Sequence, residues 1–173
     1  MTKEELFRDM SAHMVKGVMI HSQLADYYRF LGLDKYAKHH ENRFWDEMRS
    51  WRNLCKYYIC HCNRLIEDKE IENPGVIPAA WYNATRQDVD TSTKRRAVES
   101  GLSTWVEWEQ ETKDLYEMAV NELSNMGECA AAMHVKSLLR RVDDELAEAQ
   151  GYQLLKKAAD YDINYLIEDQ HER

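Results

Sequence analysis

The chain has 173 residues and a formal net charge of −8, with 44% hydrophobic and 31% charged residues and only 6 Gly and 2 Pro. A chain of this length can bury a core without disulfides or a structural metal, and so few turn formers argue against a turn-rich sheet and for long helices. The acidic balance disfavours nucleic acid as a partner, because the basic runs Lys94-Arg95-Arg96 and Arg140-Arg141 are short.

No stretch approaches the roughly 20 apolar residues that span a bilayer, so no membrane association is expected. The opening Met1-Thr2-Lys3-Glu4-Glu5 lacks the apolar run of a secretory signal, which predicts a cytoplasmic protein. Cys55, Cys60 and Cys62 crowd one segment and Cys129 stands apart; they read as reduced thiols rather than a disulfide framework.

The first helix, about residues 4–32, carries Leu6, Met10, Met14, Gly17, His21, Leu24, Tyr28 and Leu31 at helical spacing. Gly32 supplies a stop and Asp34 a cap, so the second helix, about 34–66, returns antiparallel. Its stripe runs through Ala37, His40, Phe44, Glu47, Trp51, Leu54, Tyr58, His61 and Leu65. From about 67 to 93 the periodicity disappears and Asn73, Pro74, Gly75 and Pro78 gather, which predicts a long link. A helix of about 33 residues is roughly 50 Å long, so the link has a use: it carries the chain back along the bundle, anchored by Trp81-Tyr82.

The third helix, about 94–126, capped by Thr91, Ser92 or Thr93, places Val98, Leu102, Trp105, Glu109, Thr112, Tyr116, Ala119 and Leu123 on one face. Gly127 ends it, and the fourth, about 128–160, carries Val135, Leu138, Val142, Glu145, Ala149, Tyr152 and Ala159. The tryptophans near the stripes, Trp45, Trp51, Trp105 and Trp108, are expected to supply core volume, with a neighbouring subunit as the alternative for Trp45 and Trp108, which fall beside the stripes, while His13 and His134 carry no partner signal. Short turn, long crossover and short turn make a single all-α domain, an up-down-down-up four-helix bundle.

Each stripe is interrupted by one ionisable residue: His21, Glu47, Glu109 and Glu145. A carboxylate buried alone is costly and needs a cation, a proton or a hydrogen-bond partner. His21 lies twelve residues before Leu33 and Glu47 fourteen after it, while Glu109 and Glu145 each lie eighteen from Gly127, so all four are expected at one level. Carboxylates with an imidazole suit a hard or borderline divalent ion such as iron or manganese. Ordinary boundary residues would show the same letters, and only the shared level favours a site.

These residues resemble the ferritin-like di-metal carboxylate proteins, non-haem ferritins in particular, over most of the chain. Leu24-Ala25-Asp26-Tyr27-Tyr28 is similar to the aromatic end of a ferritin first helix, with His21 where that family has a ligand glutamate. Glu109-Gln110-Glu111-Thr112 resembles the ferritin third-helix motif, and Glu145 falls where the fourth helix offers an acid. The family's second-helix Glu-x-x-His is broken here, since Glu47 is followed by Ser50, and the fourth helix offers Glu145-x-x-Glu148. The resemblance implies a metal set of His21, Glu47, Glu109, Glu145 and Glu148, with Tyr28 beside it. It further implies iron (Fe2+/Fe3+) or manganese as the ion, Fe(II) oxidation, iron storage or oxidative-stress protection as the activity, and homo-oligomeric assembly. A metal-free helical scaffold or interaction module on the same bundle is the alternative, for which Glu47→Leu or Glu145→Leu would raise stability by about 1 to 4 kcal/mol. A DNA-protecting miniferritin is a third reading, which the acidic charge opposes.

Overall fold

The computed structural model describes residues 1–86 and 89–161. Four long helices account for most of them: α1 (Lys3–Phe30), α2 (Asp34–Cys62), α3 (Thr91–Asn125) and α4 (Cys129–Ala158), with a short 3-10 turn, η1 (Ala79–Asn83), in the crossover. No strand occurs among the described residues. The expected stretch beyond residue 161 and the link positions 87 and 88 lie outside the described residues.

The helix ends follow local chemistry. Thr2 and Glu5 form a reciprocal capping box at the start of α1. α2 stops at Cys62 rather than near 66, because Asn63 takes the left-handed conformation (φ 55°) and turns the chain out, leaving Leu65 exposed. The cap of α3 is Asp90, whose carboxylate accepts from the Thr93 amide at 2.6 Å, not one of the three hydroxyl residues after it. Asp34 is the first helical residue of α2 rather than its cap, a place where its charge meets the helix dipole.

Contacts at the two ends fix the topology. Lys3 pairs with Glu128 and Arg64 with Glu4 at one end, so the starts of α1 and α4 meet the end of α2. At the other end the Tyr28 hydroxyl donates to the Ala97 carbonyl at 3.3 Å and Arg95 pairs with Asp160. The directions are therefore up, down, down, up, with the crossover joining α2 to α3. Within it, Trp81 is half-buried edge-on against Phe30, with ring centroids 5.7 Å apart, whereas its neighbour Tyr82 is exposed. No helix among the described residues is long and apolar enough to cross a membrane.

Packing separates into two apolar clusters, one built on Leu24, Tyr28, Leu31, Ala97, Leu102 and Tyr152, the other on Phe7, Met10, Leu54, Tyr58, Leu123 and Val135. Between them a polar layer crosses the bundle. Trp108 is buried in the first cluster rather than facing outward, because Gly17 on α1 leaves room for its indole; a Cβ at that position would overlap the ring. Gly17→Ala is therefore expected to cost about 1–3 kcal/mol through overpacking. Thermal unfolding of the variant checks this, and an unchanged midpoint would show that the contact is slack. Trp45, by contrast, is exposed, while His61, placed on the α2 stripe by its spacing, lies on the surface because the stripe drifts outward in the last turn.

Candidate functional site

The polar layer is built from the breaks in the four stripes. His21 on α1, Glu47 on α2, Glu109 on α3 and Glu145 on α4 are all buried, between 0% and 7% exposed. α2 contributes further polar residues to the same region, His40 and Ser50, both buried. The two sequence positions that no stripe singles out are Arg43 and Arg141, and they organise the layer.

Arg43 Nη1 donates to Glu145 Oε1 at 2.9 Å, and its other terminal nitrogen donates to Glu148. Arg141 Nε donates to the same Glu145 oxygen at 2.8 Å, and Arg141 Nη1 donates to Ser50 Oγ at 2.6 Å. The Ser50 hydroxyl in turn donates to the Asp46 carbonyl at 3.0 Å. Glu145 thus receives two guanidinium groups, and burying it is compensated by charge-assisted hydrogen bonds. This corrects the expectation that Glu145→Leu would be stabilising, since the substitution would strip two buried cations of their shared partner. Each arginine sits four residues before a core glutamate, Arg43 before Glu47 and Arg141 before Glu145. On a helix that spacing puts both side chains on one face, and this is the signal from which they could have been found.

Glu47 and Glu109 lack such compensation. Burial first, then the charge of Glu145 nearby, pushes each carboxyl up to about 8, with Arg141 and Arg43 pulling Glu47 down only in part. Glu109 Oε1 accepts from Trp105 Nε1 at 2.9 Å, while its Oε2 is buried without a hydrogen-bond partner. Both carboxyls therefore hold their protons at neutral pH. With them neutral, two charged acids, Glu145 and Glu148, balance two arginines, and the layer carries no net charge.

A cavity of about 20 Å³ lies in the layer, lined by Glu47, Ser50, Thr112, Tyr116, Arg141 and Glu145 among others, though not by Glu109. That volume holds one water or one ion of similar size, not two. Tyr116 shares that wall with Glu47 and Glu145: burial first, then the charges of Glu47, Glu145 and Glu109, hold its hydroxyl well above the usual phenol range. On the outer side, a cleft of about 400 Å³ between α2 and α4 shares Arg43, Arg141 and Glu145 with the layer and is bordered by Asp46 and Asp144.

His21 sits at the edge of the layer against Trp105 and Trp108, and its Nδ1 lies 3.0 Å from Nδ1 of His40. Burial holds the His21 imidazole down at about 3, and its Nε2 has no partner. Tyr28 packs against Tyr36 and His40 at 5.4 and 5.5 Å, one ring removed from His21. Glu148 is partly buried and committed to Arg43. Among the described residues, no group of three or more His, Cys, Asp or Glu side chains is arranged around a single metal position. The physical reason is that the guanidinium groups stand among the carboxylates.

Two histidines without an expected role have partners. His13 Nε2 lies 2.7 Å from Thr112 Oγ1 and its ring stacks on Trp108, while His134 stacks on Tyr57 with ring centroids 3.8 Å apart. All four cysteines are free thiols.

No protein-family model and no curated protein matches the sequence. Solved structures do. A ferritin of Archaeoglobus fulgidus engineered into a closed form superposes with a TM-score of 0.73 over 96% of this chain and 98% of its own, at 10% identity. Two structures of a novel open pore ferritin from the same hyperthermophilic archaeon give TM-scores of 0.71 and 0.72, each at 9% identity. They too cover 96% of this chain, and 98% and 99% of theirs. Identity this low speaks for the backbone alone, and the conclusion it carries is that this chain has the four-helix fold of a ferritin.

Proposed function

We propose that the chain is a ferritin-like protein that binds one divalent cation, iron or manganese, in the polar layer of its bundle. The observation that carries this reading is the pair of uncompensated carboxyls: Glu47, in the wall of an ion-sized cavity that also includes Glu145, and Glu109, whose Oε2 is buried without a hydrogen-bond partner. Buried polar atoms without partners ask for an occupant, and Glu109 Oε2 and His21 Nε2 are two such atoms in or next to the layer. A pair of hard carboxylates fits iron or manganese better than a soft ion.

Glu47 and Glu109, the two carboxyls without an arginine partner, would hold the ion, while Glu145 is taken up by Arg43 and Arg141 and Glu148 by Arg43. A bound iron would supply Fe(II)/Fe(III) chemistry, the basis of iron oxidation or storage. The chain's own residues do the rest. Glu47 and Glu109 surrender their protons when a cation arrives, so charge in the layer stays balanced. Arg43 and Arg141 keep Glu145 and Glu148 neutralised when no cation is there. Trp105 orients Glu109, and the aromatic walls, Tyr28 among them at one ring's remove, exclude water. Other copies of this chain are the natural second partner, with Trp45 and the adjoining Phe44 as the apolar surface available to them.

The test is a titration of the purified protein with Fe(II) under anaerobic conditions, and with Mn(II), by calorimetry in buffers of different ionisation enthalpy. One ion per chain is expected, with release of up to two protons at pH 7 and affinity that rises with pH until about 8. Glu47→Gln and Glu109→Gln should each abolish binding. A wild-type protein that takes up neither ion would remove this reading.

A second reading has its own support. The ion pairs of Arg43 and Arg141 already supply positive charge to the layer, as a metal-free helical scaffold would require. It expects no metal in the titration and a gain in stability for Glu47→Gln.

A further inference from the structure

At the end of the bundle where α2 stops and α4 begins, away from the polar layer, three rings form a stack. The centroid of the Tyr57 ring lies 4.2 Å from that of His61 and 3.8 Å from that of His134, with inclinations of 18° and 5°. Two rings so close and so nearly parallel to a third can only cover its two faces, so Tyr57 is clasped between a histidine of its own helix and one from α4. Phe7 of α1 lies parallel beside it at 6.0 Å. Close backbone packing joins α1 to α2, α3 to α4 and α1 to α3, whereas α2 and α4 are joined by side chains that reach across, here and at the arginines of the layer. The first two turns of α4 bury only Ala131, Ala132 and Val135, so the clasp is a large part of what holds them.

The two histidines are constrained differently. The Tyr57 carbonyl can only accept, so its 2.9 Å contact with His61 Nδ1 puts a hydrogen on that nitrogen. His134 has its Nε2 buried without a hydrogen-bond partner, whereas its Nδ1 is not confined in that way and faces water. A neutral His134 meets both conditions by carrying its hydrogen on Nδ1 and leaving a bare electron pair inside. A protonated His134 cannot, because it must also carry a hydrogen on Nε2, where nothing accepts it, and an orphaned buried donor is costly. Burial first, then the neighbouring charge of His61, holds this imidazole below its usual 6.5. The other ionisable groups around the stack lie by Tyr57: Cys62 from α2, Lys3 from α1 and Glu128 at the head of α4, with Lys3 and Glu128 committed to each other at 2.8 Å. No carboxylate among the described residues pairs with His134 to favour its cation.

We propose that His134 is a pH-operated latch on the seam between α2 and α4: neutral, it closes on Tyr57, and protonated, it leaves the stack and lets the first two turns of α4 loosen from the end of α2. Leu138, one turn beyond His134, lines the cavity of the polar layer, so the loosened segment ends against that layer. The latch's contribution is present above pH 6.5 and is lost as pH falls through the lowered native value. It needs no ion in the layer and stands apart from the function proposed above.

The experiment is proton NMR of the histidine rings together with amide hydrogen exchange, on metal-free, full-length protein between about pH 8 and about pH 5. At the upper end the His134 ring signals should be displaced upfield by the face of Tyr57. They should return to ordinary positions as the ring takes up its proton, with a midpoint below 6.5. Protection factors over residues 129–136 should fall by about tenfold per pH unit from 6.5 down to the native value of the ring. His134→Phe keeps a ring on Tyr57 and has nothing to protonate, so its protection over the same residues should stay level. In His61→Gln the His134 midpoint should move up toward 6.5, because the neighbouring charge is gone. A wild-type His134 that keeps its upfield displacement while it titrates overturns the proposal, as does protection that does not change with pH or that falls equally in His134→Phe. The wild-type spectra decide the matter even where a variant fails to fold.

Discussion

Replacing Arg43 with leucine is expected to destabilise the fold by about 3 kcal/mol at neutral pH, the lower end of the cost of breaking a buried ion pair, because Glu145 keeps Arg141 while Glu148 loses the Arg43 guanidinium. Arg43 is 13% exposed at its side chain and joins Glu145, which is 9% exposed, to Glu148 on the next turn of α4. Its guanidinium also lies 5.5 Å from the centre of the Trp105 ring, so the substitution removes a cation–π contact as well. The contrast is Arg49, whose ion pair with Asp46 is at the surface, with its own side chain 73% exposed. Exposed pairs of that kind are worth about 0–1 kcal/mol, so Arg49→Leu should be nearly silent. Chemical unfolding of both variants measures the difference. Equal, small losses would mean that the Arg43 cluster is solvated and does not govern the layer.

The metal-free protein is expected to be most stable near pH 6.5 and to weaken on either side. Glu47 and Glu109 have their carboxyls raised from 4.5 to about 8 in the native state, so the native state holds two protons that the unfolded chain has released. Their contribution is fully present below pH 4.5 and is lost as pH rises through 8. The buried histidines have the opposite sign. His13 and His21 are lowered from 6.5 to about 4 and about 3, and His40 is lowered well below 6.5, all chiefly by burial. Their contribution is present above pH 6.5 and is lost as pH falls through their native values. Between pH 6.5 and 8 only the two glutamates differ in protonation, and two protons correspond to a slope of about 2.7 kcal/mol per pH unit as an upper limit. Urea unfolding in the presence of a chelator at half-unit steps from pH 5 to 9 gives the curve. In Glu47→Gln and in Glu109→Gln the alkaline limb should be roughly halved, and a curve for the wild type that is flat from pH 6.5 to 9 would show that these carboxyls are not buried as described. Saturation with a divalent cation should flatten the same limb, because the ion replaces the protons.

The sequence by itself determined the class and the order of elements. Leu6, Met10, Met14, Leu24 and Tyr28 recur at helical spacing, Gly32 and Gly127 end helices, and the prolines gather in one link, all of which are local matters fixed by backbone geometry and side-chain type. It also located His21, Glu47, Glu109 and Glu145, since a polar residue on an otherwise apolar stripe is visible without any knowledge of its neighbours. What it left undecided were pairings across helices. Arg43 and Arg141 read as surface charge from their letters alone. Only the packing of α2 against α4 shows that their long stems carry the guanidinium groups inward to Glu145. Likewise Trp108 reads either as core or as an outward ring until Gly17, ninety-one residues earlier, is seen to vacate the space it fills. His21 reads as a replacement for a carboxylate, and only the packing of α1 against α2 brings its Nδ1 to 3.0 Å from Nδ1 of His40. Helical periodicity is set within a few residues of chain, whereas charge compensation and side-chain pairing depend on groups brought together from distant segments; the first was legible in the sequence, and the second belonged to the tertiary structure.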